Sequence, residues 1–139
     1  MQTLTKAERL RSRKLISLLF NEGNSIVASP IRMLWVQVRQ STDSQGRVEN
    51  EDKSPFQFAV SVPKKKFKRA VDRNRLKRQL REVVRKNKME VKKLLEEKNK
   101  PCALMFVFTG KEKVEYKEIE EKIILILQRF ISQIVNPKS

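Results

Sequence analysis

Apolar side chains recur along this chain in two rhythms that alternate. Over residues 5–21, Leu10, Leu15, Leu18 and Leu19 return at roughly helical spacing, and Arg9, Arg11, Arg13 and Lys14 fall on the other face. Glu8 follows Thr5 by three positions, the pattern in which two side chains satisfy a helix's first free amides, and Gly23 is a natural stop. The spacing predicts a first helix over 5–21. The period then drops to two. A short strand is expected at 25–29, ended by Pro30, and a longer one at 31–40. In the longer strand Leu34, Val36 and Val38 share one face and read as core. Met33, Trp35, Gln37 and Arg39 form a mixed second face.

Residues 41–54 are polar, contain Gly46, and are expected to form a loop linking two antiparallel strands. Beyond Pro55, Phe56, Phe58, Val60 and Val62 alternate with Gln57, Ala59 and Ser61, which predicts a third strand over 56–62. Helical spacing returns within 64–88, where Leu76, Leu80, Val83 and Val84 form an apolar stripe. It continues, with or without a break, through Val91, Leu94 and Leu95 to about 98. Past Pro101, residues 102–109 are apolar on both faces, as in a central strand covered from both sides. Gly110 turns the chain. Tyr116, Ile119, Ile123, Leu127, Phe130 and Ile134 then predict a last helix over 114–135. The order is α-β-β-β-α-β-α. It makes a single α+β domain over 1–139, one sheet with helices packed on it, and a short tail at 136–139.

Charge changes the picture from fold to partner. Thirty-two Lys and Arg face sixteen Asp and Glu, a net charge of +16. Such an excess repels itself in the compact state unless a polyanion neutralises it, and nucleic acid is the usual one. A membrane surface fits less well, because no aromatic stripe lies opposite the basic segment. Cys102 is the single cysteine, so no intrachain disulfide forms and a reducing compartment is expected. The charged N-terminal residues do not read as a secretory signal, and the apolar run 123–127 is too short to cross a membrane. A cytoplasmic protein is expected.

The cations are concentrated. Residues 64–88 hold thirteen Lys or Arg against only Asp72 and Glu82. Arg73, Lys77, Arg81 and Arg85 are spaced four apart and fall on one helical stripe, flanked by Arg75 and Arg78. Like charges at that spacing repel by a few tenths of a kcal/mol per pair. A phosphate chain would relieve the repulsion, and arginine grips phosphate through two parallel hydrogen bonds. Asn74, amid these arginines, reads either as a base or ribose contact or as a surface residue near a helix start. Trp35 likewise has two readings, core beneath the first helix or a stacking platform beside Arg39 and Phe20.

The run Ser61-Val62-Pro63-Lys64-Lys65, then Arg69 to Arg78, then Leu80-Arg81-Glu82 resembles the bacterial ribonuclease P protein component. The family's signature is a strand ending in Lys-Lys followed by a helix bearing Arg-Asn-Arg-x-Lys-Arg-x-x-Arg-Glu. The stretch from Arg9-Leu10 through Phe20 and Gly23 is similar to the family's first helix. The resemblance implies a mainly antiparallel four-stranded sheet with a left-handed βαβ crossover, a ribosomal-protein-like sandwich. It implies an accessory subunit, one per RNA, of an endoribonuclease whose RNA is catalytic. That RNA uses Mg²⁺ to remove the 5′ leader of precursor tRNA; the protein supports metal binding by the RNA without doing the cleavage, and no cofactor is assigned to the protein itself. RNA contacts are implied for Arg73, Asn74, Arg75, Lys77, Arg78 and Arg81, beside Arg9, Arg11, Lys64 and Lys65 from the basic pattern. A cleft for the single-stranded leader is implied at Ile16, Phe20 and Trp35. Ile16 stands where some relatives carry Phe, and Lys66-Phe67-Lys68 lacks a glycine that some relatives place there.

Two other classes compete with this reading. A nuclease acting alone would need clustered carboxylates or a histidine. The chain has no histidine, and its aspartates are only Asp43, Asp52 and Asp72, far apart in sequence. A plain RNA-binding module such as a ribosomal protein fits the composition equally well, and only the motif separates it from the family reading.

Overall fold

The computed structural model describes residues 9–10, 12–38, 55–65, 67–110, 112 and 114–136. Among them the elements are α1 Arg13–Glu22, β1 Asn24–Ala28, β2 Ile31–Gln37, β3 Phe56–Ser61, α2 Ala70–Lys98, β4 Cys102–Phe108 and α3 Tyr116–Val135. The four strands form one sheet in the order β1-β2-β4-β3. β1 and β2 are antiparallel, as are β2 and β4, whereas β3 and β4 run parallel. A parallel pair needs a long crossover, and α2 supplies it.

The expectation that 41–54 joins two antiparallel strands holds for direction and fails for adjacency. β4 lies between β2 and β3 and pairs with both. The cause is the apolar run itself. Nearly every residue of β4 is buried, so this strand needs neighbours on both edges and layers on both faces. The loop 41–54 lies outside the described residues, as does the tail beyond Asn136.

Two cores follow from the pleat. Ile31, Met33, Phe58, Leu104, Phe106 and Phe108 point toward α2 and α3, where they meet Leu80, Val84, Ile123 and Phe130. Phe58 and Phe106 sit edge to face with centroids 6.1 Å apart. The alternate positions Leu34, Val36, Ala103 and Met105 point the other way and meet Leu10 and Leu19 below α1. The sheet is thus covered by one helix on one face and two on the other.

The first helix is shorter than its periodicity predicts. Ser12 is the N-cap, and its hydroxyl accepts from the Leu15 amide at 3.3 Å. Arg9 and Leu10 are extended instead: Arg9 bridges to Phe58, and the Leu10 amide donates to the Phe58 carbonyl at 3.0 Å. A free sheet edge outcompeted one more helical turn there. The Thr5–Glu8 capping pattern lies outside the described residues. Gly23 ends α1 as expected, its amide donating to the Leu19 carbonyl. The helical pattern at 64–88 also resolves differently. α2 starts only at Ala70 and then runs unbroken to Lys98, closed by Asn99 in the left-handed region at φ 53°.

Candidate nucleic-acid interface

Helical geometry decides which cations of α2 face outward. Leu76, Leu80, Val83, Val84, Val91 and Leu95 are buried, which fixes the inward direction. Residues about half a turn away are exposed: Asn74, Arg75, Arg78 and Arg81. Arg73 and Lys77 fall nearer the buried stripe and are half-buried. A stripe at spacing four drifts by about 40° per step on a helix of 3.6 residues per turn. The expected ridge Arg73-Lys77-Arg81-Arg85 therefore winds around α2 rather than forming one outward line.

Its far end is engaged within the molecule. Arg85 Nη2 lies 2.6 Å from Glu82 Oε1, and Lys86 Nζ lies 3.7 Å from the same oxygen. Lys86 also sits 5.5 Å from the centre of the Tyr116 ring. The Arg85 hydrogen bond holds the Glu82 carboxyl below its ordinary range, and the carboxylate in turn raises Arg85. The outward cationic face is thus the first three turns of α2, where Asp72 is the only acid in the first turn. The positive end of the helix dipole adds to that field, so an anion is favoured there twice over.

Lys64 and Lys65 are exposed in a turn just before α2, with Lys68 and Arg69 exposed beyond them. This loop is not loose. Phe67 is only 7% exposed and packs edge to face on Phe108 with centroids 5.6 Å apart. Arg73 Nη1 donates to the carbonyls of both Phe67 and Lys68, each at 2.8 Å. Lys68, Arg69, the Phe67 anchor and the inward role of Arg73 were not foreseen. A lone aromatic inside a lysine run was the available signal, since such a residue usually anchors a loop to the core.

The implied leader cleft is brought together only in part. Ile16 and Phe20 lie four apart on one flank of α1; Ile16 is half-buried and Phe20 is 56% exposed. Trp35 does not join them. Leu34 and Val36 point toward α1, so the pleat turns Trp35 to the opposite face, where its ring meets Phe130 of α3 edge to face at 5.1 Å. The reading of Trp35 as core under the first helix is corrected by the same fact: it packs under the third. The α1 face of the sheet instead offers Ala59, Ser61 and Val107, all half-buried, as a floor beside the helix. Arg9 is exposed where the chain passes β3, and Arg11 lies outside the described residues. Among the described residues no three His, Cys, Asp or Glu side chains converge as a metal centre would need. Among them, too, no helix is long and apolar enough to cross a membrane.

Comparisons with known proteins identify a family and a fold. The family model described as Ribonuclease P matches residues 4–131. A ribonuclease P protein component from Porphyromonas gingivalis is 33% identical over 118 residues, covering 84% of this chain and 78% of the relative. Its counterpart from Thermotoga maritima is 30% identical over 131 residues, 92% of this chain and 96% of that one. The solved structure of the Staphylococcus aureus RNase P protein superposes with a TM-score of 0.65 at 18% identity, covering 94% of this chain and all of that one. At that identity the superposition speaks to the fold alone.

Proposed function

This chain belongs to the ribonuclease P protein family, and we propose that it docks on the ribonuclease P RNA through the first turns of α2 and the loop before it while holding the 5′ leader of precursor tRNA along α1. The family assigns the chain to a ribonucleoprotein endoribonuclease that processes precursor tRNA. The observation that carries the docking reading is the outward set Arg75, Arg78 and Arg81 beside exposed Lys64 and Lys65, with little opposing charge. Each arginine can grip a phosphate bidentately, and each neutralised phosphate releases counterions.

The leader would lie on the α1 side of the sheet. Exposed Phe20 offers a ring on which an unpaired base can stack, worth about 1–3 kcal/mol. Ile16, Ala59 and Val107 supply apolar contact, and Ser61 a hydroxyl. Mg²⁺ belongs in this reading to the RNA, which performs the cleavage. The protein's part is to neutralise phosphate repulsion and so lower the Mg²⁺ that the assembled enzyme requires. One protein per RNA is proposed.

Reconstitution tests the reading. Added to a bacterial ribonuclease P RNA, the chain should raise cleavage of precursor tRNA at low Mg²⁺ well above RNA alone. It should also favour precursor over mature tRNA in binding. RNA alone performing equally well would contradict the proposal.

A further inference from the structure

We propose that Arg73 is a positioning residue: its guanidinium braces the chain at Phe67 and Lys68, ahead of α2, so that Lys64, Lys65, Lys68 and Arg69 meet RNA phosphates as one set. The inference rests on the RNA-docking reading and changes the part Arg73 plays in it. The motif makes Arg73 one more phosphate grip. The geometry uses it otherwise, because Nη1 donates to two main-chain carbonyls, those of Phe67 and Lys68, at 2.8 Å each. The two-pronged edge that would clasp a phosphate is therefore partly committed. Arg75, Arg78 and Arg81 are exposed, while Arg73 is half-buried.

The loop needs such a brace. Lys64, Lys65, Lys66, Lys68 and Arg69 are five cations within six positions, and their repulsion favours a spread chain. Phe67 and Lys68 lie outside any helix or strand, so their carbonyls are open to side-chain donors. Two fixings hold it. The Phe67 ring is seated in the core against Phe108, and the Phe67 amide donates to the Pro63 carbonyl at 3.4 Å. Arg73 then closes the loop from the first turn of α2 with charge-assisted hydrogen bonds. A cation chosen for this task also offsets the partial negative charge of the carbonyls without adding another exposed positive group. Removing it would let several lysines drift at once, and this separates a brace from a single contact.

Salt dependence tells the two apart. Each phosphate contact contributes a slope of roughly 0.7–0.9 in log affinity against log salt. Full-length protein would be titrated against bacterial ribonuclease P RNA across a salt series as wild type, Arg73→Ala, Phe67→Ala, the pair Lys64→Ala with Lys65→Ala, and that pair combined with Arg73→Ala. Circular dichroism would confirm folding at the binding temperature. A brace predicts that Arg73→Ala lowers the slope by more than one contact. It predicts that Phe67→Ala lowers it although no charge is removed, and that the lysine pair matters less once Arg73 is gone. If Arg73→Ala fails to fold, Phe67→Ala alone and with the lysine pair gives the same comparison. A one-contact loss for Arg73→Ala, an unchanged slope for Phe67→Ala and additive effects would overturn the proposal. A flat salt response of the wild type would instead sink the docking reading on which it rests.

Discussion

Cys102 opens β4 facing the main core, 1% exposed. Burial pushes its thiol up to about 12, and the neighbouring Lys100 opposes that only weakly. The thiol should therefore resist an alkylating reagent in the folded chain at pH 8 and react at once in denaturant. Because its folded pKa lies above the ordinary value of 9.0, the neutral form is favoured in the fold. The associated stability is complete below that value and is lost as pH rises toward 12, by at most about 1.4 kcal/mol per pH unit. Urea midpoints from pH 8 to 11 should fall more steeply for the wild type than for Cys102→Ala. Parallel curves would show that the thiol does not titrate differently on unfolding. Gly23 makes a second point at this scale. A Cβ there would run into the Leu19 carbonyl oxygen that Gly23 itself hydrogen-bonds, so Gly23→Ala should lower stability by roughly 1–3 kcal/mol with an unchanged denaturant slope. Single residues were unevenly legible in sequence. Gly23 as a stop could be read directly, because a helix end favours that residue. Trp35 could not be assigned a face partner, since alternation says which residues share a side and not which helix covers it.

For elements, rhythm located the helices and strands and local competition set their ends. α1 begins only at Arg13, while Arg9 and Leu10 find partners on β3, a long-range pairing invisible to spacing. α2 begins after a braced loop rather than at Lys64, because Phe67 is drawn into the core. The same helix shows why counting cations overstates an interface. Arg85 is held by Glu82, whereas Arg75 and Arg78 are exposed. Replacing Arg75 and Arg78 together by alanine should weaken RNA binding about ten-fold or more at moderate salt. Arg85→Ala should change it far less. Equal losses from the two changes, measured in one titration series, would contradict the division of the helix. On α1, Phe20→Ala should reduce the preference for precursor over mature tRNA by roughly 5- to 150-fold, the range set by one stacked base. Its affinity for the RNA partner should be unchanged. An intact preference would remove Phe20 from the leader path.

At the scale of the whole molecule, the fold segregates its tasks. The sheet's larger core, toward α2 and α3, supplies rigidity. The smaller core beneath α1 leaves part of that sheet face half-covered beside the helix. The order of elements was readable from sequence. The insertion of β4 between β2 and β3 was not, because pairing partners are chosen by the burial needs of the whole sheet. Net charge points to a polyanion, and the exposed cations Lys64, Lys65, Arg75, Arg78 and Arg81 lie together at one end of α2 and just before it. Equilibrium binding of wild-type protein and the Arg75→Ala, Arg78→Ala double variant to ribonuclease P RNA, between about 50 and 200 mM salt, probes that patch directly. The wild type should weaken steeply as salt rises, and the variant's slope should be shallower by roughly 1.4–1.8, as for two lost phosphate contacts. Identical slopes for a folded variant would mean that the RNA docks elsewhere.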